Sequence, residues 1–371
     1  MGKIIKMKKK KKNIWLPIIL VIITAISGVL LAVNMNNPAV SGILNNGYTS
    51  EGIQLTSSRT YEFAKNGEGA VMCGAGNMMG IDAAGRQKWT VAFDTHSPIV
   101  SARGKFAVAT ERGGREFVLT ASGDELLRLN TESSIIFAKV SKSGRVLVVT
   151  EERGYNAKVA VYAPDGKEIY VWHTSAYNVI DAAIADSGRA MSVAVLQNPD
   201  ENGLSGVLTF DFNKEEGVFT PADDESLVMA IMYSGKNALA ISDTSAFAVS
   251  PKGEKVYNIS YEGKKLRNFG FDPDGSLALA FDEGTGGLVN IYSRSGKLTG
   301  TYKNSRQIMF MDTLGGNTLL NSDNGAVVIN TRGKEVSHVE FEKDVKSALL
   351  LSGRRKILGV SGDKVQVYTS R

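Results

Sequence analysis

The chain has 371 residues, 43% hydrophobic and 22% charged, a balance that excludes a disordered chain and leaves room for a large core. Its net charge of +5 is set by the N-terminus: seven lysines (Lys3, Lys6 and Lys8 to Lys12) lie in the first twelve residues, and without them the remainder stands at −2. The basicity therefore gives no support to a nucleic-acid partner, and the single cysteine, Cys73, excludes an intramolecular disulfide and a zinc site built on cysteine pairs.

The lysine-rich segment 1–13 leads into Ile14 to Val33, a run of twenty residues without a charge. As a helix it would be about 30 Å long, the thickness of a bilayer core. Trp15 stands at its start, at headgroup level, and the lysines precede it. The pattern predicts a transmembrane anchor over 14–33 in contact with membrane lipid. The basic tail is expected in the cytoplasm and everything after Val33 outside it. The run is longer than the apolar region of a cleaved signal peptide, and no small-x-small site closes it. The later Ala39-Val40-Ser41 is the rival cleavage site, and no cysteine follows for lipoprotein processing. An uncleaved single-pass anchor is expected in a cell membrane. Residues 34–50, rich in Asn and Gly, read as a polar spacer.

From residue 51 onward one pattern repeats. An apolar strand reaches a glycine turn, and a second apolar strand follows. A polar loop leads to a third strand, and a second glycine turn leads to a fourth. The third repeat shows it best: Ile135 to Val140, the turn Ser141-Lys142-Ser143-Gly144, Arg145 to Thr150, Lys158 to Ala163, the turn Pro164-Asp165-Gly166-Lys167, then Glu168 to Trp172. First-turn glycines recur at Gly67, Gly104, Gly144, Gly188, Gly235, Gly275, Gly315 and Gly353. Second-turn glycines recur at Gly85, Gly123, Gly166, Gly217, Gly253, Gly296 and Gly333. Four strands with a period near forty predict β-propeller blades. The expected fold is all-β: a single propeller of about eight four-stranded blades over 51–371, preceded by one transmembrane helix. The last repeat stops at its third strand, Val365 to Tyr368, while Ile53 to Thr56 is unclaimed. The N-terminal strand is expected to complete the last blade and remove an exposed edge.

Ala70-Val71-Met72-Cys73 is an apolar run, so a buried structural thiol is expected. Gly80 to Trp89, with Asp82, Gly85 and Trp89 at Asp-x-x-Gly-x-x-x-Trp spacing, resembles the segment of quinoprotein-like blades. Ser242-Asp243, Ser322-Asp323-Asn324-Gly325 and Gly362-Asp363-Lys364 resemble the turn of WD-repeat blades. The chain thus resembles WD-repeat-like and quinoprotein-like propellers, and its layout is similar to membrane-anchored propellers of Gram-positive bacteria. The resemblance implies the architecture and no particular activity. The tryptophan motif of quinone-dependent enzymes fails to recur, with only Trp89 and Trp172 in fourth strands. There is no adjacent cysteine pair to stack on a cofactor, and no cofactor is expected.

Candidate chemistry is sparse. Of three histidines, His96 and His173 are expected in connections between blades, as general bases, metal ligands or plain loop residues. Two blades separate them, so no metal site is expected. From the second blade onward each loop between second and third strands carries an acid: Glu111, Glu151 and Glu152, Asp200 and Glu201, Asp243, Asp282 and Glu283, Asp323, Asp363. On one face these would form a ring of carboxylates able to attract a cation or a basic partner; alternatively Asp serves its own turn. The loop 197–203 is either a partner contact or an inert insertion. Phe271 to Gly275 reads as a first-turn hairpin and not a calcium loop. No nucleophile elbow, phosphate loop, His-Glu-x-x-His or dinucleotide fingerprint occurs. The expected function is a non-enzymatic binding, scaffold or sensor module that meets an envelope protein or glycan. A quinone-dependent dehydrogenase, lyase or glycan hydrolase is the alternative.

Overall fold

The computed structural model describes residues 50–56, 59–67, 69–197, 204–223, 226–272, 275–322, 325–341, 345–352 and 355–370. The expected tail, anchor and most of the spacer lie outside them. Among the described residues there is no helix. Thirty-two strands, numbered β1 to β32 in chain order, form eight separate four-stranded antiparallel sheets.

Seven sheets each use four consecutive strands. Their first strands are β2 (Glu62–Asn66), β6 (Pro98–Arg103), β10 (Ile135–Val140), β14 (Tyr177–Ile184), β18 (Val228–Ser234), β22 (Leu266–Phe271) and β26 (Phe310–Leu314). The eighth sheet starts at β30 (Val345–Ser352), continues through β31 (Lys356–Ser361) and β32 (Lys364–Thr369), and ends on β1 (Ile53–Gln54). Ile53 pairs with Val365 and Gln54 with Lys364. The N-terminal strand spans two residues, not the four that Ile53 to Thr56 suggests. Hydrogen bonds extend it at both ends, from Ser50 N–H to Val367 O and from Leu55 N–H to Asp363 O.

The core lies between blades. Phe117 and Leu119 of blade two pack on Val146 and Val148 of blade three. Across the closure, Ala70 and Met72 of blade one pack on Leu358 and Val367 of blade eight. One blade cannot bury both its faces alone, so each completes its neighbour and the array closes on itself.

The second-turn glycines do two jobs. Gly123 has φ +104°, which a tight turn needs. A Cβ there would also stand 2.4 Å from the Trp89 ring of blade one. Gly166 meets Leu127, Gly253 meets Val218 and Gly296 meets Tyr257 in the same way, each turn resting on the fourth strand of the preceding blade. Blade four departs. Gly217 is not in the left-handed region, and its neighbour is Phe210 of its own blade. There the contact is made by Tyr170 of blade three, which stacks on Phe212 at 4.8 Å and donates to Lys214 O.

Fourth strands form the outer rim. In six of the eight blades the register slips by one residue just after the second turn. Bulges there twist a free edge away from pairing with another chain.

Candidate functional site

Connections between blades share a face with the loops between second and third strands. The backbone N–H groups of His96 and Ser97, entering blade two, donate to Glu111 Oε1 at 2.7 and 3.3 Å. Asp243 repeats this in blade five, where its Oδ1 accepts from Leu227 N–H and Ser226 Oγ, both at 2.9 Å. These carboxylates cap the incoming connection of their own blade, whose N–H groups precede the first strand and lack a ladder partner. The bonds, the His96 N–H foremost, hold the Glu111 carboxyl below the ordinary glutamate range.

The other predicted acids take several places. Asp363 accepts from Ser361 Oγ. Asp282 stands 3.7 Å from Arg267 Nη1, and Glu283 3.8 Å from Lys303 Nζ. Glu151 is exposed, and Glu152 lines a small recess with Lys158 and Glu168. Asp200, Glu201 and Asp323 lie outside the described residues. His96 is exposed, its Nδ1 3.9 Å from Glu111. His173 is not in a connection: it pairs with Lys158 inside β13 (Glu168–Thr174), beside Tyr155. The strand runs two residues past Trp172, because His173 and Thr174 continue the pairing with Lys158 and Ala157. Cys73 is fully buried, and burial with the nearby Glu62 pushes its thiol up to about 12.

The central channel holds charges that no motif points to. Lys65 of blade one reaches past blade eight to Asp312 of blade seven, 2.7 Å away, and donates also to Thr313 O. Asp312 Oδ2 accepts from Leu350 N–H of blade eight at 2.8 Å. Lys139 of blade three donates to Asp181 Oδ1 of blade four at 2.6 Å, and Asp181 Oδ2 accepts from Ile231 N–H of blade five at 3.0 Å. Arg103 of blade two grips Asp186 of blade four with two bonds of 2.7 Å. Asp181 and Asp312 thus tie first strands of separate blades, Asp186 ties the first turn of blade four to the first strand of blade two, and each acid carries a matched cation. A cavity of about 200 Å³ remains, lined by Arg103, Lys139, Asp186, Tyr233 and Phe271. The only hint in the sequence is an acid inside an otherwise apolar first strand. Among the described residues no group of three or more His, Cys, Asp or Glu is placed to hold a metal ion.

Eight four-stranded blades ringed about a channel define this chain as an eight-bladed β-propeller. Over residues 45–369 it belongs to a Family of unknown function (DUF5711). No curated protein matches it. Among solved structures it is similar to BamB from Moraxella catarrhalis, at 14% identity and a TM-score of 0.56, over 87% of this chain and 97% of that one. Sqt1 from Saccharomyces cerevisiae matches at 8% identity and 0.59, over 87% and 99%. The computationally designed Ika8 protein matches at 13% identity and 0.61, over 86% and 98%. At these identities the likeness is one of fold.

Proposed function

We propose that this protein is a membrane-anchored propeller of the cell envelope that binds a protein or glycan through its loop face and carries out no chemistry. The observation behind this reading is the state of the channel. Asp181, Asp186 and Asp312 each hold a lysine or arginine, and two of them also accept a backbone N–H. A carboxylate so engaged is a poor general base or nucleophile, because its lone pairs are occupied by charged and backbone donors. Glu111 and Asp243 are likewise spent on backbone. What is left is a rigid scaffold with a varied loop surface, the usual arrangement for recognition.

The anchor reading rests on the uncharged run 14–33 behind a lysine block. Ser50, where the described chain begins, lies against Gly85 in the second turn of blade one. Ser50 thus lies on the turn face of the propeller, and the loop face is the opposite one. The test is photo-crosslinking of the full chain in the cells that make it. The photoreactive side chain replaces Glu151 on the loop face or Lys167 on the turn face, both exposed. The reading expects discrete adducts from Glu151 and none from Lys167. Adducts from neither position, or from Lys167 alone, would contradict it.

A further inference from the structure

The inner strands share an irregularity at the loop-face end. In five blades the register slips by one residue there, and the inserted residues are Ile136, Ile180, Met229, Arg267 and Lys346. Such bulges turn a side chain out of the ladder. Ile180 is 38% exposed and Met229 41%, with Leu227 beside it at 37%. Met309, immediately before β26, is 56% exposed, and Arg267 and Lys346 are exposed as well. All these positions lie at the start of strands that ring the channel.

The rim is also held in place. Ile231 N–H is bonded to Asp181 and so joins the strands that carry Met229 and Ile180. Asn268 Nδ2 donates to Met309 O, and Arg267 reaches Gln307. Large apolar side chains kept in water contribute nothing to folding, and when grouped and fixed they mark a contact surface. Blades four and five supply apolar side chains, and blades six and eight supply cations. Lys346 has no ion-pair partner among the described residues. Aliphatic and thioether groups suit peptide side chains better than sugars, which favour aromatic faces and dense hydroxyls.

We propose that the loop-face mouth of the channel is a docking site for a short protein segment. The segment lays apolar side chains on Ile180, Leu227 and Met229 and directs a carboxylate to Arg267 and Lys346. This rests on the reading that the loop face binds, and it selects a protein ligand and the place where it sits.

The test uses the full chain in detergent micelles and labelled synthetic peptides of about twelve residues. One set alternates Leu, Met or Phe with Asp or Glu. A second replaces the acids by Lys, and a third replaces the apolar residues by Ser. The first set is expected to bind best. Met229→Glu with Ile180→Glu should weaken it by about tenfold or more, and Arg267→Glu with Lys346→Glu should move the preference to the lysine set. All four side chains are exposed, so unchanged thermal unfolding serves as the control for folding. Binding by no set, equal binding of the acidic and lysine sets, or binding untouched by both variant pairs would overturn the proposal. Adducts at Glu151 without peptide binding would overturn the mouth as the site and leave the wider reading standing. Absence of those adducts tells against the wider reading itself.

Discussion

Glu111 shows how a loop acid becomes structural. Its Oε1 collects two N–H groups that precede β6, and its side chain is 31% exposed. Charged hydrogen bonds of this kind contribute about 1 kcal/mol once partial exposure is discounted. Because the folded state holds this carboxyl below its ordinary value of 4.5, the contribution is complete above that value and is lost as pH falls through the lowered one. Glu111→Gln should therefore unfold at a lower temperature than wild type near neutrality. The gap should narrow on acidification to about pH 3. Thermal unfolding across that range checks this; a gap independent of pH would contradict the role. The position of the acid was legible in the sequence, since from the second blade onward each such loop carries one. Its partner was not, because the N–H groups belong to a connection some fifteen residues earlier, and nothing local distinguishes this use from a self-capped turn.

At the scale of the strand and turn, the glycine series was legible because positive φ is a local demand that few other residues meet. The close approach of each second turn to the preceding blade was not, since it depends on what the neighbour presents. Gly123 shows both. Alanine there must adopt φ near +104° and place its Cβ 2.4 Å from the Trp89 ring, so Gly123→Ala should cost about 2–3 kcal/mol. Trp89→Leu combined with Gly123→Ala should recover part of the loss by removing the overlap and leaving the backbone strain. Chemical denaturation of both variants tests this, and additive losses would contradict the contact. Gly217 illustrates the limit of the pattern: it follows Gly188 by 29 residues where the other blades show 18 to 22, and Tyr170 and Phe212 make the interblade contact instead. The bulges on inner and outer strands were silent in the sequence, because a register slip is decided by the partner strand and leaves the alternation of one strand nearly intact.

For the whole molecule, the period near forty and the incomplete last repeat made the ring readable, since paired hairpins of this size cannot hide their apolar faces singly. The channel was not readable. Lys65 and Asp312 are separated by 247 residues, and only closure of the ring brings them within 2.7 Å. Their pairing, with that of Lys139 and Asp181, ties first strands of adjacent and next-but-one blades around the channel and engages both channel carboxylates with cations. The central claim is that the channel is structural and the loop face is the working surface. The most direct measurement is the yield of cross-linked adduct from the Glu151 position in two backgrounds. The first is Lys65→Gln with Asp312→Asn, which removes both channel charges and retains groups able to hydrogen-bond. The second is Met229→Glu at the mouth. The account predicts adducts preserved in the first background and lost in the second. Adducts lost in the first and preserved in the second would contradict it.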